Sequence, residues 1–325
     1  MNSQKNISIK NLNQILELAE GLVKKNGPYT VALAAGDDIV CVGGLELAKN
    51  RGLIKPILVG HRRRIDEVFE KLNLSQNGWD IEADKDPKSA TRNCAEMILR
   101  GDADILMRGR LMARDFLKAL LEPGQNLRNP ESLWTNVVVV DNPKIDRLLL
   151  INDCGIIVSA DLPHRVRQIT KVYEFANFLG IKEVKIALLA AVETISPGMP
   201  TSLEEAVISK MCERGQFPVG VAIDGPLSLD LAISPEAVKK KRFRGNVAGN
   251  ADILVVNHLG IGNLLFKSLI TLCGSKSSSV IIGLPFPVVF TSRSETPENI
   301  LYSLALAILQ TGDKNKINLL EKDTL

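Results

Sequence analysis

Residues 29–60 read YTVALAAGDDIVCVGGLELAKNRGLIKPILVG, and the pattern of apolar residues changes twice along them. YTVALAA (29–35) is a short apolar run with β-branched residues, which predicts a strand. Over 38–51, Val42, Leu45 and Ala48 recur at helical spacing, and Gly52 marks the stop. KPILVG (55–60) predicts a second strand. A strand, a helix and a strand joined by short connections specify a parallel sheet with helices on its faces.

Working outward, the rhythm continues. Residues 62–72 place Ile65, Val68, Phe69 and Leu72 on one helix face. Asp86-Pro87 opens a helix with Cys94, Met97 and Ile98 inward, ending at Gly101; ADILMRG (103–109) is a strand and 112–121 a helix. TNVVVVDNPKIDRLLLIND (135–153) breaks the alternation, because two apolar runs flank Asp141-Asn142-Pro143-Lys144, which predicts an antiparallel hairpin. Alternation then resumes with a helix over 162–179, strands at 184–191, 217–224 and 251–257, and helices from Pro200 and over 262–273. SVIIG and PVVFT supply strands up to 291, and a last helix covers 297–311. The expected architecture is two doubly wound α/β domains with a cleft between them.

Bulk properties exclude several function classes. The 325 residues suit two domains, and 45% hydrophobic with 24% charged residues is ordinary globular composition. A formal charge of +3, from 40 basic and 37 acidic side chains, gives no strong field for nucleic acid or anionic lipid. No apolar run approaches the roughly 18 residues of a membrane span, and MNSQKNISIK lacks a signal-peptide core. Five scattered cysteines without a CxxC pair predict reduced thiols in a cytoplasmic protein, with Cys154 and Cys212 read as small apolar residues. His61, His164 and His258 lie far apart, so no transition-metal site is expected, and no GxSxG motif occurs.

In such sheets ligands bind at the carboxyl ends of strands, and three of those ends carry polar chemistry. The first delivers Arg108, Gly109 and Arg110, a fork of donors beside a residue that permits close backbone approach. The second is Asn257-His258 followed by Gly260, Gly262 and Asn263, with Lys267 one turn into the helix; a plain capped turn is the competing reading. The third is Ser292-Arg293, just before Thr296-Pro297-Glu298, an N-cap with proline at the first helical position. Free N–H groups and a guanidinium there share one sign of potential and suit an anion. Without a histidine or lysine nearby, Ser292 is a donor to developing charge and not a covalent nucleophile. Asp224-Gly225-Pro226 is read as a tight turn after a strand, and Asp224 with Asp230 as caps before a magnesium pair.

Seven segments in order, ADILMRGRLMARDFLKALL, IDRLLLIND, ISPGMPTSLEEAVISKMCERGQ, IDGPLSLDLAISPEA, VAGNADILVVN, GNLLFKSL and PVVFTSR, resemble the phosphate acetyl/butyryltransferase family. The butyryl branch is the nearer one, and the resemblance runs over residues 30–311. It implies exchange of acyl-CoA plus phosphate with acyl phosphate plus coenzyme A, with no bound cofactor and coenzyme A as substrate. It implies a homodimer and an isocitrate/isopropylmalate dehydrogenase-like fold with the active site in the inter-domain cleft. Its serine–arginine pair falls on Ser292 and Arg293, assigned as catalytic, and Arg108, Arg110, Gly262, Asn263 and Lys267 are assigned to substrate. The acetyl branch carries an aspartate seven residues after the serine, where this chain has Asn299. Several other polar positions of the family are also replaced, as in LGIGN (259–263), so the alternative is a weakened paralogue that binds coenzyme A or acyl phosphate without efficient turnover. Domain boundaries are expected at 1–140 with 293–325, and 141–292.

Overall fold

The computed structural model describes residues 9–122, 127, 132–292 and 294–312. The chain folds as two units: Leu12–Ser132 with Ser277–Leu325, and Met1–Asn11 with Leu133–Lys276. The first opens with α1 (Leu12–Asn26), which buries Leu12, Ile15, Leu16 and Ala19 along one stripe. Next come β1 (Tyr29–Ala34), α2 (Ile39–Asn50), β2 (Ile54–Gly60), α3 (Arg62–Leu72) and β3 (Asp80–Ala83). α4 (Pro87–Arg100), β4 (Ile105–Arg108) and α5 (Ala113–Leu120) complete this stretch. β1 pairs in parallel with β2 and with β4. The helix starts obey the sequence chemistry: the Asp38 carboxylate accepts the Val40 and Cys41 amides at 3.0 Å, and Asp86 caps α4 in the same way.

The second unit contains β5 (Thr135–Asp141), β6 (Leu149–Asn152), α6 (Leu162–Phe178), β7 (Val184–Leu189), α7 (Pro200–Glu213) and β8 (Val221–Leu227). It continues through α8 (Leu229–Ile233), α9 (Pro235–Lys241), β9 (Ile253–Val255) and α10 (Leu259–Thr271). β5 and β6 form the expected antiparallel hairpin, and the strand order is β5-β6-β9-β7-β8, parallel beyond the hairpin. Two local expectations are corrected. Asp224-Gly225-Pro226 is not a turn but part of β8, and Asp230 joins Lys241 at 3.2 Å. α10 begins at Leu259, so Gly260 and Gly262 lie inside the helix and not in a loop before it.

The chain returns through β10 (Lys276–Ile282), β11 (Val288–Val289) and α11 (Pro297–Gly312). β11 pairs antiparallel with β10 and parallel with β4, giving the order β3-β2-β1-β4-β11-β10 in the first unit. These pairings move the unit boundaries to 132/133 and 276/277, where the sequence pattern put them at 140/141 and 292/293. A boundary at 140/141 would split the β5–β6 hairpin, and one at 292/293 would part β11 from its ladder partner β4. The sheets are therefore mixed and not purely parallel.

α11 is buried nearly all round, with Ile300, Leu301, Tyr302, Leu304, Leu306 and Ile308 all in the core. Each fully buried aliphatic side chain contributes on the order of 1.5–3 kcal/mol. All five cysteines are free, and among the described residues no helix is long and apolar enough to cross a membrane.

α2 lies so close to α11 that a Cβ on Gly44 would sit 2.3 Å from Ile300 Cβ and 3.0 Å from the Pro297 carbonyl oxygen. The Gly44→Ala substitution therefore lowers stability by about 2 kcal/mol or more through overpacking. Urea unfolding measures the loss, and adding Ile300→Ala to the variant costs less than Ile300→Ala does alone.

Candidate functional site

At the carboxyl ends of β1, β4 and β11, three strand termini are tied together. The Gly109 and Arg110 amides donate to the Ala34 and Ala35 carbonyls at 2.8 and 2.9 Å. Gly109 is required there, since a Cβ would fall 2.4 Å from the Ala35 oxygen and 2.6 Å from that of Ala34. Between β4 and β11 the tie is reciprocal: the Thr291 hydroxyl donates to the Arg108 carbonyl at 2.8 Å, and the Arg108 guanidinium donates to the Thr291 carbonyl. The guanidinium also lies 4.5 Å from the Phe290 ring centroid, a cation–π contact. Cys41 packs beneath this tie, and burial raises its thiol pKa well above the ordinary value, so it is not a thiolate.

Three polar groups stand at these ends: Asp37, Arg110 and Ser292. Asp37, buried in the loop after β1, lies 3.6 Å from Arg110 and 3.8 Å from Arg64 on α3. Both arginines are more than half exposed, so each ion pair contributes under about 1 kcal/mol and serves to orient the guanidinium. The Ser292 hydroxyl is half-buried and lies 3.0 Å from the Ser294 hydroxyl.

In the second unit, the ends of β6 and β9 are organised by Asp153. Its carboxylate accepts four hydrogen bonds, from the Thr135 hydroxyl at 2.8 Å and the Asn136, Gly155 and Ile156 amides at 2.7, 2.6 and 2.7 Å. Burial pushes its pKa up from the ordinary carboxylate value, against those four donors, which favour the ionised form. α10 rests directly on this loop. A Cβ at Gly262 would fall 2.2 Å from the Asp153 carbonyl oxygen, and the Asn263 amide donates to the Cys154 carbonyl at 3.3 Å. His258 caps its own helix, with Nδ1 accepting the Gly260 amide at 2.9 Å, so its neutral tautomer carries the proton on Nε2.

Behind that loop a small recess is lined in part by Asp153, Ser159, Arg165, Gln168 and Asn257. Arg165 is buried, donates to Glu204 at 2.9 Å and lies 3.9 Å from the fully buried Glu205. Burial pushes the Glu205 carboxyl up to about 8, in spite of the neighbouring arginine.

The fold divides the residues singled out from sequence between the two units. Arg110 and Ser292 stand at adjacent strand ends of the first unit. Arg108 is there too, buried and spent on the Thr291 carbonyl. Gly262 and Asn263 bind α10 to the Asp153 loop, and Lys267 is exposed farther along that helix. Arg293 lies outside the described residues. Sequence reasoning missed Asp37, Arg64, Arg165 and Glu205. The first could have been found, because GDD (36–38) comes directly after the β1 apolar run. A buried Arg–Glu pair on two helices leaves no local signal. Among the described residues no three His, Cys, Asp or Glu side chains group as metal ligands.

This architecture is that of phosphotransacylases. A branched-chain phosphotransacylase from Enterococcus faecalis V583 superposes with a TM-score of 0.74 at 29% identity, covering 87% of this chain and 99% of that one. Phosphate butyryltransferase of Clostridium acetobutylicum is 34% identical over 306 residues, 94% of this chain and 100% of that protein. Phosphate acetyltransferase of Thermotoga maritima is 35% identical over 296 residues, 91% and 98% of the two chains. Residues 82–308 match the family described as "Phosphate acetyl/butaryl transferase", and the chain belongs to that family of acyltransferases.

Two arginines two residues apart do different work here, and stability separates them. Arg108→Ala leaves the Thr291 carbonyl unpaired in the interior and lowers unfolding free energy by about 2 kcal/mol or more. Arg110→Ala stays within about 0.5 kcal/mol of the parent. Chemical denaturation of both variants measures the contrast.

Proposed function

We propose that this chain transfers a short-chain acyl group, butyryl or acetyl, between coenzyme A and inorganic phosphate. The supporting observation is the tie between β4 and β11, through which Thr291 and Arg108 set the Ser292 strand end beside the one that carries Arg110. A phosphate oxygen attacks the thioester carbon, an oxyanion forms, the C–S bond breaks, and coenzyme A leaves as a thiolate that then takes up a proton. In reverse the thiolate attacks the acyl phosphate carbonyl and phosphate leaves. Ser292 donates to the oxyanion, a contact stronger in the transition state than in the substrate. Arg293 holds the phosphoryl group through paired donors, with Arg110 as a second cation oriented by Asp37. Arg108 acts one step back, by holding the strand end.

The coenzyme A side is assigned to α10. Gly262 lets that helix approach the Asp153 loop, Asn263 secures it, and exposed Lys267 is the cation for a nucleotide phosphate. A thiol near pKa 8.5 is already a few per cent thiolate at pH 7, so turnover does not depend on a carboxylate at the Asn299 position. Similarity to butyryl and acetyl enzymes is nearly equal, and one methylene is worth only about 1–3 kcal/mol of discrimination, so acyl length is set by pocket shape. No observation favours a paralogue without turnover. The protein acts in the cytoplasm on acyl-CoA and phosphate, with no nucleic-acid or membrane partner.

A homodimer is part of the same reading. α10 exposes Ile261 and Leu264 at 49% and 70%, and Leu272 lies just beyond at 82%, a stripe of apolar side chains that a second copy would cover.

Phosphate-dependent release of free thiol from acetyl-, butyryl- and branched acyl-CoA tests the activity. Ser292→Ala lowers kcat by about 10²-fold, and Arg293→Ala lowers kcat/KM at least as much while circular dichroism stays that of the parent. Wild-type turnover in Arg293→Ala would sink the site assignment. For the dimer, Leu264→Glu shifts the mass measured by light scattering from two chains to one. A parent that is already monomeric overturns that part.

A further inference from the structure

The proposed chemistry depends on how the turn carrying Ser292 is held, and a buried carboxyl lies directly behind it. The Glu295 amide donates to the Ser292 carbonyl at 3.1 Å and closes the turn. The Glu295 side chain runs inward and is only 6% exposed. There the Ser277 hydroxyl, in β10, donates to its Oε2 at 3.1 Å. The Ser277 amide donates to Asn299 Oδ1 at 3.1 Å, which leaves the Asn299 NH₂ as the donor to Glu295. Turn, strand and the first turn of α11 thus meet in a closed triangle of Glu295, Ser277 and Asn299.

We propose that Glu295 is a positioning residue that clamps the Ser292 turn to β10 and α11, and that it holds the turn best when protonated. This rests on the function proposed above. The groups facing the carboxyl, Ser277 and Asn299, are neutral. Lys276 and Glu298, their charged neighbours in the chain, are exposed. Arg293 lies outside the described residues. Burial pushes the carboxyl up to about 7, against the two neutral donors. Ionised, it loses hydration that two neutral donors do not replace, so it is drawn toward water and the turn loosens. The folded form therefore binds this proton more tightly than the unfolded chain, and the clamp's contribution is complete under acid conditions. It is lost as pH rises through about 7.

Glu295→Gln keeps the shape and an acceptor for Ser277 but cannot ionise; Glu295→Ala removes the clamp. In Glu295→Ala, kcat falls about tenfold with KM for coenzyme A within about twofold. Amide exchange across residues 292–296 quickens about tenfold in that variant. In Glu295→Gln, the ratio of its kcat to that of the parent rises about threefold or more from about pH 6 to about pH 8, as the parent loosens. A flat ratio, or parent-like kcat and exchange in Glu295→Ala, overturns the proposal. If Glu295→Ala does not fold, Ser277→Ala serves in its place, with the same direction in kcat and exchange. If the parent releases no thiol with phosphate, the proposed function fails, and amide exchange in parent and Glu295→Gln across the same pH range still decides the clamp.

Discussion

A buried guanidinium is costly unless every face of it is used, and that constraint shapes the first unit. Arg108 offsets much of that cost with the Thr291 carbonyl on one side and the Phe290 ring on another, while its own carbonyl accepts the Thr291 hydroxyl. β11 is only two residues long, too short for its ladder alone to fix the residues after it. The arginine makes up the difference. It converts a brief strand contact into a fixed strand end, and Ser292 is the next residue. A lysine could replace the charge but not the planar fork or the stacking.

The same logic recurs in the second unit with the opposite charge. Asp153 is a carboxylate saturated by four donors, and the loop it folds is the platform on which α10 rests. In each unit a glycine permits a close backbone approach at a strand end: Gly109 against the Ala34 and Ala35 carbonyls, Gly262 against the Asp153 carbonyl. At these positions glycine is demanded by backbone proximity. A loop cradling an anion through free N–H groups would look similar in sequence, and the difference emerges only once the partner carbonyl is located.

Much of the fold was legible because its signals are local. The change from short apolar runs to apolar residues at helical spacing between Tyr29 and Gly60 identifies β1, α2 and β2, and Asp86 and Gly101 mark helix ends by capping chemistry. The hairpin of β5 and β6 was legible for the same reason. Unit boundaries were not, because they depend on which strands pair across long sequence separations, as β11 does with β4. The start of α10 was misread because glycines at 260 and 262 imitate a loop, whereas His258 caps a helix already under way. At the site, Ser292 and Arg110 could be named from their place after apolar runs. Asp37 as an orienting group, and Arg108 as a spent one, required knowing which carbonyl or cation stands opposite.

The buried carboxyls differ in what faces them, yet burial dominates the titration of each. Asp153 has four donors and no charged partner, Glu205 has a cation at 3.9 Å, and Glu295 has two neutral donors. In all three, burial outweighs the compensation and raises the pKa, to about 8 for Glu205 and about 7 for Glu295. Such groups favour the folded state most in acid and progressively less toward those values, the reverse of a carboxylate whose pKa folding depresses. Half-buried Asp66 and exposed Asp161 are lowered by their neighbours, but solvent screening leaves them little leverage. These interior carboxyls therefore contribute a loss of stability on going from acid toward neutral pH. Glu295 joins the Ser292 turn itself, so that response reaches the residue assigned to the oxyanion.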